Sequence, residues 1–509
     1  MRSSLQLLGG GGLRRPMISR SALASSLHKN TYPAVRVRRS YAVFGPRRSK
    51  LSSRIVAGAS VFVFGAVAGY LYVTDTRASV HHWLAIPLIR VLYPDAEDAH
   101  EAGTQALQRL WNWRLHPRER GGVDGDGKLH VEVFGHTLDN PLGISAGLDK
   151  HGDIPDSLFA LGPAIVEIGG ITPRPQKGNP KPRVFRLPSQ EGIINRYGLN
   201  SDGAEAVAAK LQERVRQYAH NHGYGFSEDY EDVVLNGADV PPGSLQYGKL
   251  LAVQVAKQET TPDNDIDAIR DDYVFGTKTL AKYADIIVVN VSCPNAPGYR
   301  ELQRVEPLTK ILSGVVKAAK EVDRQTQPAV MVKVSPDEDT EEQVSSICQA
   351  VYASGVDGVI VGNTTKRKTD PVAHSRPTVT EMQTFQEAGG YSGPQLFERT
   401  VKLVGKYRRI LDREGHTNNN QKNAPQPLFQ LPERHSTSSS SSTILSPLPQ
   451  QKVIFCTGGI RSGEEALEVL NAGASVAQIY TAMVYGGVGQ ITKMKREIRD
   501  SIEGKSKER

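Results

Sequence analysis

The sequence predicts a (β/α)8 barrel, because short apolar runs alternate with helical patterns eight times after residue 140. The runs are rich in β-branched residues and unbroken by polar alternation, which is typical of strands buried on both faces. Strand–helix alternation implies parallel strands with right-handed crossovers, and eight such units fit a closed barrel. A doubly wound open sheet is the alternative, although no run leads into the GxGxxG motif of a dinucleotide-binding half. The predicted strands are residues 141–147, 164–170, 250–256, 285–293, 329–335, 358–364, 453–459 and 476–482.

A basic segment begins the chain. Residues 1–54 contain ten Arg, two Lys and no acidic residue, which is typical of a mitochondrial transit peptide; a generic disordered basic tail is the alternative. Removing these twelve cations from the net charge of +8 leaves −4 for the remaining residues. The basicity is therefore local, and we do not predict nucleic-acid binding.

Residues 55–73 are nineteen uncharged residues, enough to cross a bilayer as one helix. A secretory signal is disfavoured, since the apolar run is too long and starts too late. The arginines before the span predict that the N-terminus stays in the mitochondrial matrix, with the rest of the chain in the intermembrane space.

Residues 80–116 contain two apolar clusters separated by Pro94 and Asp95. Two short amphipathic helices at the membrane face would produce this pattern. A helical hairpin packed on the main domain explains it equally well, and the two interpretations are compatible.

The barrel domain is predicted over residues 130–505, with two insertions that lengthen its connections. Residues 216–248 are polar and contain Pro241-Pro242-Gly243. Residues 412–451 are rich in Asn, Pro and Ser, a composition that cannot bury a core and predicts disorder. We interpret both as surface insertions and not as domains.

Polar side chains follow the fourth predicted strand, where Pro294 ends the run. Asn290, Cys293 and Asn295 therefore lie at or just beyond its carboxyl end, which is where α/β barrels carry their chemistry. Two carboxamides suit a flat polar ligand, and a thiol lies beside them. The three cysteines are too widely spaced to suggest a disulfide framework, and no metal site is predicted.

Other strand ends carry lysines and glycines. Lys150 and Lys333 are expected to point into the barrel mouth, where a fixed cation would stabilise a reduced, anionic cofactor; a lysine that reaches solvent is the alternative. Gly458 and Gly459 follow the seventh strand and precede a helix that starts near Ser462. Together with Tyr480 and Thr481 on the eighth, they predict a site for a phosphate-bearing ligand.

Four segments carry a family resemblance: residues 146–151, 183–188, 195–200 and 290–295. They read Ala-Gly-Leu-Asp-Lys-His, Arg-Val-Phe-Arg-Leu-Pro, Asn-Arg-Tyr-Gly-Leu-Asn and Asn-Val-Ser-Cys-Pro-Asn. Together they resemble dihydroorotate dehydrogenase over roughly residues 80–500, less the insertions. The N-terminal span and hairpin resemble the class 2 enzymes, which are mitochondrial and pass electrons to ubiquinone.

The resemblance implies FMN in the barrel and the oxidation of dihydroorotate to orotate, by loss of a proton from C5 and a hydride from C6. It implies that Cys293 is the catalytic base, and that His100 and Arg186 line a quinone tunnel. The implied substrate-binding residues are Lys150, Asn195, Tyr197, Gly198, Asn290, Asn295, Asn363 and Thr364. The implied FMN-binding residues are Ala146, Gly147, Lys150, Gly170, Gln254, Asn290, Lys333, Gly362, Ser392, Gly393, Gly458, Gly459, Tyr480 and Thr481.

The sequence departs from the family pattern at several positions. Class 2 enzymes use serine as the base, whereas this chain has Cys293, as the soluble class 1 enzymes do. A thiol, with an ordinary pKa near 8.5, is a better base at neutral pH than a hydroxyl. Gln254 stands where an asparagine usually contacts the flavin, and Gly170 and Gly362 replace hydroxyl residues. Each of these changes removes or displaces a hydrogen bond worth about 0.5–1.5 kcal/mol.

The expected function is therefore a quinone-linked dihydroorotate dehydrogenase of the inner mitochondrial membrane, acting in pyrimidine biosynthesis. Two alternatives remain: another FMN-dependent barrel that acts on a pyrimidine, and a catalytically degenerate barrel that serves as a membrane scaffold. The set of four asparagines favours dihydroorotate dehydrogenase over the other pyrimidine enzymes, because a planar carboxylated ring offers donors and acceptors along its edges.

Overall fold

The structure is a computed structural model that describes residues 50–122, 124–225, 229–293, 301–368, 377–419 and 451–504. Contacts divide the chain into two units, residues 1–62 and 63–509. Helix α1 (Lys50–Val73) contains the predicted span. Its segment Arg54–Val73 is long and apolar enough to cross a membrane, and none of it is buried. The predicted transit peptide lies almost entirely outside the described residues.

The predicted helical hairpin is present. A π-helical turn (His81–Ala85) leads into α2 (Ile86–Leu92), and α3 (Ala96–Asn112) follows. Asp95 ends the break and caps α3, because its carboxylate accepts the backbone N–H groups of Glu97 and Asp98. Several large apolar side chains of the π-helical turn and of α2 are exposed, among them Trp83 of the turn at 77%.

The predicted barrel is confirmed: each predicted run coincides with one of its strands, and only β4 extends one residue beyond its run. Strands β1 (Val131–Val133) and β2 (His136–Leu138) first form an antiparallel hairpin. The barrel strands are β3 (Leu142–Ile144), β4 (Ile165–Ile171), β7 (Leu250–Val255), β8 (Ile286–Asn290), β9 (Ala329–Val334), β10 (Gly358–Val361), β12 (Val453–Thr457) and β13 (Val476–Ile479). All neighbours are parallel, and β13 pairs with β3 to close the barrel.

Helices surround the barrel and bury its outer face. They are α4 (Pro155–Ala160), α5 (Ala204–Asn221), α6 (Tyr230–Gly237), α7 (Ile266–Leu280), α8 (Val305–Lys320), α9 (Glu341–Ser354), α10 (Val379–Phe385), α11 (Phe397–Asn419), α12 (Gly463–Asn471), α13 (Thr481–Gly486) and α14 (Gln490–Ile502). One continuous apolar cluster joins these helices, apart from α10, to the outer side chains of the strands.

The amino-terminal half of the barrel interior is filled by apolar side chains. Val288, Met331 and Phe455 belong to this inner cluster, and all three are fully buried. The β1–β2 hairpin covers that end, with Phe134 packed near Phe455. Because this half is solid, only the carboxyl ends of the strands leave room for a ligand.

A small antiparallel sheet covers part of the carboxyl end, and the sequence did not predict it. It consists of β5 (Val184–Leu187), β6 (Gly192–Asn195) and β11 (Gly390–Ser392), with β6 in the centre. None of the predicted strands included these segments, which are only three or four residues long. The pairing of β6 with β11 also joins parts of the chain that lie about 195 residues apart.

The two predicted insertions differ in what the structure describes. The first, residues 216–248, includes the end of α5 and all of α6, and Val234 and Leu235 of α6 are buried. Part of this segment therefore packs into the core. In the second, α11 extends to Asn419, and residues 420–450 lie outside the described residues.

A buried ion pair ties the helical hairpin to the loop before β5. The Arg183 guanidinium donates to Glu97 of α3, with Nη2–Oε1 at 2.7 Å and Nε–Oε2 at 3.0 Å. The same guanidinium donates to the backbone carbonyls of Lys177 and Asn179. Fewer than a tenth of either partner's surface is exposed. In an intact pair, the attraction between the two charges offsets much of the free energy needed to bury them. Removing one partner leaves the other charge buried without a counterion, which destabilises the folded protein.

We expect Glu97→Ala to lower the free energy of unfolding by about 3–5 kcal/mol, because Arg183 would lose its counterion inside the protein. Urea unfolding in detergent measures the loss. Glu101→Ala is the matched control, since Glu101 contacts Lys181 from an exposed position, and it should cost at most about 1 kcal/mol. Equal losses for the two variants would contradict the structural role of the pair.

Candidate active site

A cavity of about 860 Å³ opens at the carboxyl ends of the barrel strands. This volume is typical of a site for a cofactor together with a small substrate. Cys293 lines it, as does every predicted substrate- or cofactor-binding residue that the structure describes, except Gly362. Asn295 lies outside the described residues. Residues as far apart in the sequence as Ala146 and Thr481 therefore line one cavity.

An ion pair lies beneath the floor of the cavity. Lys333 of β9 donates to both carboxylate oxygens of Glu167 on β4, at 3.1 and 3.2 Å, and to the Ser145 hydroxyl at 3.2 Å. Glu167 has no exposed surface and Lys333 is 3% exposed. Lys333 lines the cavity, so it presents a fixed positive charge to a ligand, as predicted for this position. The alternative of a lysine that reaches solvent is wrong for Lys333.

A chain of amides runs along the same floor. Gln254 of β7 donates to Glu167 at 2.6 Å and accepts from Asn290 Nδ2 at 2.9 Å. Asn290 Oδ1 accepts from the backbone N–H of Ser292 at 3.1 Å. Asn363 donates to the Ser292 hydroxyl at 2.8 Å, and its own Oδ1 accepts the N–H of Thr364. Each amide is therefore held by its neighbours before any ligand binds.

Lys150 also lines the cavity. Its Nζ donates to Asn200 Oδ1 at 2.9 Å and lies 3.3 Å from the centre of the Tyr197 ring, a cation–π contact. Burial lowers the pKa of Lys150 to about 7, with a smaller contribution from the Arg183 guanidinium. An anionic ligand beside this lysine would raise its pKa again, since a nearby negative charge favours the protonated form.

Cys293 follows the end of β8 and is partly exposed to the cavity. The other two cysteines are fully buried in the core. Burial raises the pKa of the Cys348 thiol to about 12 and also raises that of Cys456. Only Cys293 is therefore placed to react with a molecule in the cavity, among the cysteines of this chain.

Glycines shape the far end of the cavity, where the sequence predicted a phosphate. Gly458 and Gly459 follow β12 with φ of +133° and +77°. A Cβ at Gly459 would lie 2.5 Å from the Phe397 backbone nitrogen, so only glycine allows this approach. Across from them, the Thr481 hydroxyl donates to Ser392 at 2.9 Å.

Helix α12 begins where it was predicted, but its first N–H groups are already engaged. Ser462 caps the N–H of Glu465, and the Gly463 N–H donates to Glu497. Two N–H groups at the start of this helix are thus bonded within the protein, and the glycine turns beside it line the cavity.

His100, on α3 of the hairpin, and Arg186, on β5, do not line the main cavity. His100 Nε2 lies 2.9 Å from the Leu148 carbonyl oxygen, and burial lowers the pKa of the imidazole to about 4. Arg186 donates to the Pro94 carbonyl at the turn of the hairpin. An apolar cluster that includes Tyr197, Tyr480 and Tyr485 packs against Ala96 of α3 and so joins the hairpin to the barrel.

The departures Gly170 and Gln254 are spatially linked. A Cβ at Gly170 would lie 3.0 Å from Gln254 Oε1 and 3.3 Å from Leu199. The longer Gln254 side chain therefore occupies space that a side chain at position 170 would need. At Gly362, φ is +112° and a Cβ would lie 2.0 Å from the Thr457 carbonyl oxygen, so this backbone excludes any other residue.

Sequence reasoning missed three residues of the site: Glu167, Gln478 and Ser292. Gln478 of β13 is fully buried and donates to Glu167 Oε2 at 3.0 Å. An available signal was a single acid in the middle of an otherwise apolar predicted strand, because a buried carboxylate needs a cation and several donors. Lys333, a single cation in another apolar predicted strand, was the matching signal for the partner of this acid.

Comparison with known proteins agrees with the resemblance seen in the sequence. The family model for dihydroorotate dehydrogenase matches residues 128–414 and 443–502. The mitochondrial dihydroorotate dehydrogenase (quinone) of Lachancea kluyveri is 34% identical over 473 residues, 91% of each chain. Its mouse counterpart is 32% identical over 89% of this chain and 93% of its own. The crystal structure of an Eimeria tenella dihydroorotate dehydrogenase with ferulenol has a TM-score of 0.63 at 27% identity, and covers 81% of this chain and 93% of its own.

We expect native protein to react with one equivalent of a small thiol reagent, at Cys293, because Cys348 and Cys456 are enclosed by the core. Titration with Ellman's reagent and peptide mass mapping measure this. Unfolding in urea should raise the count to three, and Cys293→Ser should reduce the native count to zero. Rapid native labelling of Cys456 would refute the described burial.

Proposed function

Because this chain belongs to the dihydroorotate dehydrogenase family, whose members are oxidoreductases, we propose that it oxidises dihydroorotate to orotate in de novo pyrimidine biosynthesis. FMN would accept the hydride and ubiquinone would reoxidise the flavin. The observation that carries the proposal is the convergence of Cys293, the amide chain and Lys333 in one cavity.

The residues present fit FMN. The cavity is large enough for a flat ring system with a phosphate tail, and it is polar along its floor. Gly393, Gly458, Gly459, Tyr480 and Thr481 would hold the phosphate end, where the glycine backbone has no room for side chains. Lys333 would lie by the ring, and its fixed charge would stabilise the negative charge that the ring gains on reduction. The cofactor supplies hydride acceptance; the protein supplies orientation, charge and the proton acceptor.

The substrate would bind between the amide chain and Lys150. Dihydroorotate carries a carboxylate, which suits the Lys150 ammonium, and ring carbonyl and N–H groups, which suit Asn195, Asn290 and Asn363. A bound carboxylate would favour the protonated form of Lys150, whereas a neutral pyrimidine would offer this buried ammonium no counterion. This argues against a dihydropyrimidine or dihydrouridine as the substrate.

Cys293 would remove the C5 proton. The Cys293 thiolate takes that proton, the C5–H electron pair forms the C5–C6 double bond, and a hydride leaves C6. The thiol later returns the proton to solvent, so the cysteine is restored. The position of Cys293 at the cavity end of β8, partly exposed, is compatible with this role.

The N-terminal elements would place the barrel at the inner mitochondrial membrane. We propose that the Arg54–Val73 helix crosses it once, with the barrel on the intermembrane-space side. The exposed apolar side chains of α2 would enter the lipid surface. Quinone would then reach the flavin between hairpin and barrel, past His100 and Arg186.

The decisive experiment measures orotate formation from dihydroorotate by detergent-purified protein, with decylubiquinone or fumarate as the electron acceptor. We expect turnover with the quinone. Protein that holds FMN but turns over with neither acceptor would refute the proposed reaction. Turnover with fumarate alone would refute the quinone assignment and leave the dehydrogenase reaction intact.

We expect Cys293→Ala to lower the rate of flavin reduction by dihydroorotate by about 10²–10⁴-fold, because the proton acceptor is lost. FMN content should not change. Cys293→Ser should keep activity with its pH optimum moved upward, since a hydroxyl is a far weaker acid than a thiol and needs a higher pH to act as a base. Stopped-flow flavin bleaching across pH measures both effects, and full activity in Cys293→Ala would contradict the role of the thiol.

A further inference from the structure

Glu167 serves as a hydrogen-bond acceptor for four donor groups at once. Its Oε1 accepts from Lys333 and Gln254, and its Oε2 accepts from Lys333, Gln478 and the backbone N–H of Ala146. A carboxylate can only accept, so each amide that contacts it must turn its NH₂ group inward. Glu167 itself does not line the cavity; Gln254, Gln478 and Lys333 do.

The orientation of Gln478 follows from this contact. Its Nε2 points at Glu167, so its carbonyl oxygen faces away. That oxygen is buried and has no hydrogen-bond partner in the described part of the chain. A buried carbonyl without a partner costs about 1–3 kcal/mol. A ligand N–H group would remove that cost, because Gln478 lines the cavity.

The orientation of Asn290 is fixed from both directions. From one side, the NH₂ group of Gln254 donates to Glu167, so the side-chain oxygen of Gln254 must accept from Asn290 Nδ2. From the other side, the Ser292 backbone N–H can only donate, so it requires Asn290 Oδ1. Both constraints give the same result, and they leave the second N–H of Asn290 for a ligand.

We propose that Glu167 is a positioning residue that sets the hydrogen-bond polarity of the cavity, so that Gln478 accepts an N–H and Asn290 donates to a carbonyl of the bound ring. The ligand edge that matches is an N–H beside a carbonyl. The flavin ring and the pyrimidine substrate both carry such an edge, and the experiment must tell them apart. The inference rests on the proposed function, which it deepens.

The test uses full-length holoprotein in detergent, loaded with FMN labelled with ¹⁵N at ring N3, and then with ¹⁵N-labelled orotate. Proton resonances of the labelled N–H groups report the acceptor that each one meets. Gln478→Met removes the acceptor and keeps the length of the side chain. We expect one labelled N–H resonance to move upfield and that ligand to bind roughly tenfold more weakly, as expected for one lost hydrogen bond. A shift in the flavin signal assigns the contact to the cofactor; a shift in the orotate signal assigns it to the substrate.

Glu167→Gln tests the positioning role. Without a carboxylate, Gln478 is free to turn, and the same resonance should move in the same direction. Gln490→Met and Glu465→Gln are the matched controls, since both residues line the cavity outside the Glu167 network; neither should move the signal.

Unchanged N–H resonances in Gln478→Met would overturn the proposal, as would an unchanged resonance in folded, FMN-loaded Glu167→Gln. Should Glu167→Gln fail to fold, Gln478→Met still decides whether the carbonyl contacts a ligand. Gln254→Leu removes the hydrogen bonds of Gln254 to Glu167 and to Asn290, so it should lower the orotate affinity of FMN-loaded protein if Asn290 is positioned through Gln254; an unchanged affinity would overturn that positioning. Because the readouts are binding signals, they are separate from turnover. Holoprotein with normal shifts but no orotate formation would refute the proposed function alone.

Discussion

The ion pair between Glu167 and Lys333 is the interaction on which the order of the active site depends. It joins β4 to β9 across the barrel, in the layer just above the apolar filling. A buried charge requires compensation, and the barrel supplies it with donors from three further strand ends. The carboxylate thereby converts a set of flexible side chains into groups with one orientation each, which is what preorganisation at a ligand site requires.

The barrel itself could be predicted because its strands are buried on both faces. Runs such as residues 285–293 and 453–459 are apolar without interruption, and a barrel is the common way to enclose eight of them. The bounds of these runs also placed Asn290, Lys333 and Asn363 at the carboxyl ends of their strands, where the structure has them. The carboxyl ends of parallel strands must meet at one end of a barrel, so convergence followed from strand direction alone.

Other parts depend on partners that lie far away in the sequence. The small sheet of β5, β6 and β11 has too few residues to show a pattern, and its register comes from tertiary contacts. Glu167 could be recognised as unusual, but its partners just after β3 and on β7, β9 and β13 are set by geometry that no local pattern contains. The helical content of residues 216–248 was likewise hidden, because two buried residues suffice to dock α6 in an otherwise polar segment.

The contact between Gly170 and Gln254 makes two departures from the family pattern into one. A hydroxyl residue introduced at position 170 alone would crowd Gln254, and a shorter amide introduced at position 254 alone would leave a gap and break the link to Asn290. Neither single reversal reaches the family arrangement without passing through a poorer intermediate, whereas the two together would exchange volume for volume. The two positions are therefore coupled by packing, and a designer who transfers one of them between relatives must transfer the other with it.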